Sequence, residues 1–246
     1  MQAAITAAER GHKVTLAEKE DRLGGLLCFT DTDVDKEDLR NFKDLLIRVT
    51  YRRGVTVLLN TAADAELIER LKPDAVILAL GSRPAMPPIP GIDKIRHAMD
   101  VYYGCKPGKS VIMVGGGLVG CEVALHLAKS GHDVTIIEML PRVADDSYGM
   151  YREALIRQMS REAIRTYTNT RCLEVTTCSV RIADKDGAET VIGADSVFYA
   201  LGMKSNSADE LEKVIANAKV YKVGDCLRPA KVDSAVREGF LAALDI

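Results

Sequence analysis

Short apolar runs rich in Val, Ile, Leu and Ala alternate along the chain with longer stretches of helical period. The short runs predict strands over Val14–Glu18, Val55–Leu59, Ala75–Leu80, Val111–Val114, Val134–Glu138, Ser196–Leu201 and Lys219–Val223. The longer ones predict helices over Met1–Arg10, Lys36–Arg53, Ala65–Leu71, Leu118–Ser130, Tyr148–Glu162, Ala208–Asn217 and Ser234–Leu244. Such alternation implies an α/β fold with parallel sheets, because a parallel connection must return over one face of the sheet. The rhythm changes after Arg171, where "CLEVTTCSVRIADKDGAETVI" reads as a β-meander with a turn at Asp184–Gly187. Residues 81–91, "GSRPAMPPIPG", carry four prolines and predict a stiff connector that is neither helix nor ladder strand.

One decapeptide is written nearly twice. "GHKVTLAEKE" at 11–20 returns as "GHDVTIIEML" at 131–140, an offset of 120 with no gap. In front of the second copy stands "SVIMVGGGLVGCEVALHLAKS", a strand, a glycine loop and a helix. Gly115 permits the tight turn out of the strand, and Gly117 lets backbone approach a pyrophosphate. Gly120 lets the helix lie close to the sheet. The helix N-terminus offers unpaired N–H groups and a positive dipole end. Glu138 follows Gly120 by 18 residues, where a carboxylate takes both hydroxyls of an adenosine ribose and repels a 2′-phosphate. The expectation is NAD(H) rather than NADP, with Arg142 keeping the second open. The first copy has no such loop: its equivalent of Gly120 falls just before Met1. The chain therefore reads as truncated at its N-terminus, lacking one central strand and its glycine loop. Two strand edges would then face each other unpaired, or other chain would fill the gap.

Composition narrows the partners. A formal net charge of −2 over 246 residues supplies no basic field for nucleic acid. The apolar runs are too short to cross a bilayer, and no secretory leader is read, so a cytoplasmic protein is expected. The six cysteines include no CxxC, which argues against a redox pair, a zinc knuckle or an iron–sulfur run; no metal site is expected. His12 and His132 fall at the same place in the two repeats and read as turn residues.

These motifs together resemble the two-dinucleotide-binding-domain flavoprotein reductases. They look most like the C-terminal FAD/NAD(P)H portion of old-yellow-enzyme-type NADH:flavin oxidoreductases, the group of 2,4-dienoyl-CoA reductase and trimethylamine dehydrogenase. The stretches carrying the resemblance are "EKEDRLGGLL", "AVILALGSRPAMPPIPGID", "GKSVIMVGGGLVGCEVA", "SVFYALGMKSN" and "VYKVGDC". The resemblance implies two Rossmann-like units: an FAD-type unit from 1–95 and 205–246, and an NAD-type unit inserted at 96–204. It places Glu18, with Lys19 beside it, at the adenosine ribose of FAD, and Gly24, Gly25 and Leu26 along its pyrophosphate. Gly81 ends the strand leaving that unit, while Gly224 and Asp225 would lie at the flavin end. Asp225 has a second reading, as N-cap of the last helix. Gly115, Gly116, Gly117, Leu118, Val119 and Gly120 would cradle the pyridine nucleotide, with Glu122 and Gly202 beside the nicotinamide. Asp209 and Glu210 read as helix-start acids.

The implied activity is electron input: hydride passes from NADH to FAD, and electrons leave for another domain, such as the family's N-terminal barrel with its FMN and iron–sulfur cluster. That barrel is absent from the sequence. Hydride transfer needs stacking and orientation, so no catalytic side chain is assigned. Three alternatives stand beside this reading: an NAD(H)-binding module without flavin or turnover, a scaffold with neither ligand, and the reductase subunit of a glutamate-synthase-like complex.

Overall fold

The structure, a computed structural model, describes residues 1–215 and 218–246. The chain divides into two compact units, residues 1–83 with 203–246, and residues 84–202. The crossings thus fall about a dozen residues before and two residues before the boundaries expected from the sequence.

The first unit opens with helix α1 (Gln2–Glu9) and strand β1 (Thr15–Ala17), followed by α2 (Glu37–Arg52) and β2 (Thr56–Leu58). Then come α3 (Ala65–Leu71), β3 (Ala75–Leu78) and β4 (Ser82–Pro84). Asp64 caps α3 by accepting the Leu67 N–H at 2.8 Å. Helix α2 carries Glu37 and Asp38 in its first turn and Arg52 in its last, the arrangement a helix dipole favours.

The second unit runs β5 (Arg96–His97), β6 (Ser110–Val114), α4 (Leu118–Lys129), β7 (Asp133–Ile137), α5 (Gly149–Arg161) and β8 (Arg165–Tyr167). A hairpin pair follows, β9 (Arg171–Val175), β10 (Ser179–Ala183) and β11 (Glu189–Gly193), and then β12 (Ser196–Tyr199). Five strands form one parallel sheet in the order β5-β12-β6-β7-β8, and β9–β11 form the antiparallel meander. Ile112, Val114, Ile137, Val197 and Tyr199 of the sheet pack on Val175, Val180 and Ile182 of the meander. Strand β6 is central, with every residue from Val111 to Val114 buried.

The chain returns to the first unit through β13 (Met203–Ser205), α6 (Asp209–Val214), β14 (Lys219–Lys222) and α7 (Val232–Leu244). The helix expected over Ala208–Asn217 is seen as α6, and residues 216–217 lie outside the described residues. Asp209 and Glu210 sit in its first turn. Helix α7 lies against α1 through small residues: a Cβ on Gly239 would come 3.3 Å from the Ala3 nitrogen. One expectation is corrected here. Ser82–Pro84 lies in the proline-rich connector yet pairs with β13 as a two-stranded ladder. Proline is tolerated there because each strand of such a ladder is an edge.

The first unit's strands make two separate parallel pairs, β1 with β2 and β14 with β3. Matching the repeats, β1 and β2 correspond to β7 and β8, and β14 and β3 to β5 and β12. Among the described residues nothing corresponds to β6. The consequence shows in burial: Thr15–Ala17 and Ala75–Ile77 are only half-buried, whereas Val134–Ile137 and Val197–Tyr199 are buried.

Candidate functional site

The glycine loop of the second unit begins where β6 ends. Gly115 has φ +105°, and its N–H donates to the Ile137 carbonyl at 2.9 Å. A Cβ there would lie 2.2 Å from the Ala200 oxygen, and one on Gly120 would lie 2.0 Å from the Gly115 oxygen. A Cβ on Gly116 would meet Val143 Cγ1 at 2.8 Å and Glu138 Cβ at 3.0 Å. Protein atoms therefore require these three glycines. Gly117 differs: with φ −66° any residue could adopt its backbone, and no protein atom would come closer than 3.7 Å to a Cβ. It stands at the N-cap of α4, where a side chain would reach into open space in front of the helix.

Leu118 opens α4 and is half-buried, while Val119 is 40% exposed. The Leu118 N–H donates to Asp146 Oδ1 at 2.8 Å. Glu122, one turn further, accepts the Tyr151 hydroxyl of α5 at 2.5 Å. Glu138 follows β7 and is only 8% exposed. Its Oε2 accepts the Gly116 N–H at 2.7 Å and its Oε1 the Leu140 N–H at 2.7 Å. Each carboxylate oxygen keeps a second lone pair for a hydroxyl donor. Arg142 is exposed and pairs with Asp145 at 2.5 Å.

Residues 142–147 form a strap laid on the glycine loop, a feature that sequence reasoning missed. The Ala144 N–H donates to the Gly116 carbonyl at 2.7 Å, and Val143 packs where a Gly116 side chain would be. Ala144 is fully buried and has φ +50°, an uncommon conformation for a residue with a Cβ. Arg152 Nε donates to the Val143 carbonyl at 3.0 Å, and the Ser147 hydroxyl to the Ala144 carbonyl at 2.8 Å. Gly202, with φ +91° and nothing within 4 Å of a Cβ, ends the segment that follows β12.

The first unit repeats the Glu138 geometry at Glu18. Glu18 Oε1 accepts the Glu20 N–H at 3.0 Å, as Glu138 does from Leu140. The Thr61 N–H donates to the Glu18 carbonyl at 2.8 Å, and the Thr170 N–H to that of Glu138 at 2.9 Å. Asn60 and Asn169, each just before that threonine, share a left-handed backbone with φ +51° and +52°. This second pair of matches was legible as "LNT" and "TNT" after the third strand of each repeat. Lys19 is exposed beside Glu20 at 3.6 Å. Gly24, with φ +127°, is walled by Cys28 Sγ at 2.7 Å and by the Lys43 stem at 3.2 Å from a would-be Cβ. Lys43 is buried and bonds Asp31 and Asp44, a lock that sequence reasoning missed because no periodicity marks it. Gly25 (φ +55°) and Leu26 are exposed at the start of a 3₁₀ turn.

Gly81 and the pair Gly224–Asp225 come together through Ser82, whose hydroxyl donates to Asp225 Oδ2 at 2.8 Å. The Ser205 hydroxyl donates to the Asp225 carbonyl at 2.7 Å. Gly224 has φ +67°, and its N–H donates to Glu238 at 2.6 Å. The N-cap reading of Asp225 fails: α7 starts after Lys231, and Asp225 Oδ1 accepts the Ala230 N–H at 3.2 Å. Asp225 thus ties three segments of the unit instead of capping one helix.

Two of the thiols are held far from a nucleophilic state. Burial pushes the Cys121 thiol up to about 12 and the Cys172 thiol up to about 11, so both stay protonated at neutral pH. Among the described residues no group of His, Cys, Asp and Glu could hold a metal ion. No described helix is long and apolar enough to cross a membrane.

Residues 1–239 match the family of pyridine nucleotide-disulphide oxidoreductases, and the chain belongs to it. The NADH oxidase of Thermoanaerobacter brockii is 38% identical, the match covering all of this chain and 39% of that protein. The bilirubin reductase of Mediterraneibacter gnavus is 33% identical over 99% of this chain and 38% of its own length. Among solved structures, a complex of 2-naphthoyl-CoA reductase superposes with a TM-score of 0.92 at 29% identity, covering 100% of this chain and 38% of that one. The chain thus spans about two fifths of the length of these relatives. It is a flavoprotein redox module of the old-yellow-enzyme type in its resemblance, and its family implies flavin and nicotinamide cofactors.

Proposed function

We propose that the chain is the electron-input part of a flavoprotein oxidoreductase, its second unit binding NAD(H) and its first unit contributing to an FAD site. Gly117 carries the reading. Its three neighbours are glycine because protein atoms crowd them, whereas Gly117 faces open space at a helix N-terminus, where a ligand's phosphate is the group that a side chain would displace. When bound, the nicotinamide supplies a hydride and the flavin accepts it. The chain's own residues bind and orient: Gly115–Gly120 present the loop, Glu138 holds the ribose, and Glu122 and Gly202 border the nicotinamide. Glu18, Gly24, Gly25, Leu26, Gly81, Gly224 and Asp225 serve the flavin nucleotide in the same way. Glu138 is buried with two N–H donors already fixing its carboxylate, and Arg142 is engaged by Asp145, which together favour NAD(H) over the 2′-phosphorylated form.

A second reading, an NAD(H)-binding module that holds no flavin, is favoured by one observation: β1 and β3 each have a ladder partner on one side alone among the described residues. One experiment separates the two. The chain is incubated with excess FAD, desalted, and titrated with NADH while its absorption is followed. A retained flavin band that bleaches on NADH supports electron input by this chain. Loss of flavin with NADH still raising the melting temperature leaves the binding module. No response to either ligand overturns both. In the whole protein, electrons would pass onward to a further domain such as an FMN and iron–sulfur barrel.

A further inference from the structure

Two of the N–H groups at the head of α4, where a nucleotide phosphate would bind, are already bonded to carboxylates of the chain. Gly116 N–H is held by Glu138 from inside the fold. Leu118 N–H, the first of the helix, is held at 2.8 Å by Asp146, an exposed residue on the strap. The Asp146 carboxyl oxygens also lie 3.7 Å from a would-be Gly117 Cβ, so they flank the open space in front of the helix. One N–H directed at one acceptor cannot serve a second at full strength, and two anions at one helix end repel.

We propose that Asp146 is a tethered competitor for the dinucleotide's pyrophosphate, so that the strap sets the affinity of the site. The inference rests on the reading of Gly115–Gly120 as a nucleotide loop. The strap's construction fits a part that yields at its tip. Its base is fixed by the buried Ala144, whose N–H bonds Gly116, and by Arg152 on the Val143 carbonyl. Beyond Ala144 the strap is exposed at Asp145 and Asp146. Binding would shift the Asp146 carboxylate off Leu118 without unseating Val143 or Ala144. The residue thereby weakens every ligand that brings phosphate to the helix and is indifferent to ligands that do not.

Asp146→Asn keeps a capping oxygen and removes the charge, and Asp146→Ala removes both. Titration calorimetry with NADH, ADP and adenosine is run on the wild type and both variants, with melting temperatures recorded in parallel. The expected result is tighter NADH and ADP binding, about threefold for Asn and about tenfold for Ala, the range set by charge effects at helix ends. Adenosine affinity stays unchanged, and the gap between wild type and variants narrows as salt is raised. Equal NADH affinity in all three proteins, with only a lower melting temperature in the variants, overturns the competitor role and leaves the nucleotide reading intact. Weaker NADH binding by Asp146→Asn overturns it too, by making the carboxylate a ligand contact. If no protein binds NADH or ADP, the nucleotide reading itself is overturned. Should Asp146→Ala not fold, the Asn variant carries the test alone.

Discussion

Gly117 and its neighbours divide stability from binding within one loop. Gly115→Ala puts a methyl into the Ala200 carbonyl and Gly120→Ala puts one into the Gly115 carbonyl, each closer than any relaxed contact allows. Both variants are expected to lose folded protein, seen as a collapse in yield or melting temperature. Gly117→Ala meets only the Asp146 carboxylate, at an ordinary contact distance of 3.7 Å, so its stability should stay within about 1 kcal/mol, the modest cost of alanine at an N-cap. Its NADH affinity should nevertheless fall at least tenfold by calorimetry; unchanged affinity would remove the main support for a nucleotide at this helix. A second residue tests the duplication. Gly54 follows α2 with φ +72°, and the exposed Ala163 stands in the same place after α5 with φ +53°. Alanine is strained there and glycine is not, so Ala163→Gly should stabilise by about 0.5–1 kcal/mol in denaturant titration, despite glycine's freer unfolded chain.

The elements behave as their partners dictate. Strand β5 is short, and it ends at His97, which is 9% exposed, lies against the Tyr199 ring at 5.2 Å and accepts the Met99 N–H on Nδ1. Burial holds its pKa below the usual 6.5, even though Asp100 pulls the other way. Below that value the unfolded chain binds more protons than the folded one, so stability falls as pH drops from about 6.5 towards the folded pKa. His97→Asn can cap the same turn without titrating; melting curves between pH 5 and 8 should be flatter for it than for the wild type, and parallel curves would remove His97 as the cause. The elements also set what was legible in the sequence. Strands β6 and β7, helix α4 and both decapeptides could be read because short continuous apolar runs mark strands buried on both faces and their glycines follow turn geometry. The strap could not. Ala144 and Asp146 are ordered by bonds to Gly116 and Leu118, more than twenty residues away, Val143 by packing on Gly116, and "RVADDS" has no period to announce them. Lys43 and its two aspartates escaped for the same reason. The pairing of Ser82–Pro84 was hidden by its proline, which speaks against a strand unless the ladder has free edges.

At the scale of the molecule, two units built on one pattern differ in completeness, and that difference predicts how the chain melts. The second unit closes five parallel strands around the buried β6, with a contiguous core reaching from Ile112 and Val197 to Val180 of the meander. The first unit has two parallel strand pairs with half-buried faces and a smaller cluster around Leu78, Ala208 and Ile215. Apolar surface left half-exposed contributes less to stability, and ladder edges with one partner open more readily. Scanning calorimetry of the chain should therefore show the first unit melting below the second, in two transitions. Ligands then assign them. A ligand that binds only native protein raises its own unit's transition by an amount set by RT ln(1 + [L]/Kd), about 2.7 kcal/mol at a hundredfold excess over Kd. NADH should move the upper transition and FAD the lower one. If FAD moves nothing while NADH still acts, the paired edges of the first unit are too incomplete to hold a flavin, and the chain works as a nicotinamide-binding unit. If NADH instead moves the lower transition, the Gly115–Gly120 loop is not where it binds, and the assignment of the two units is reversed.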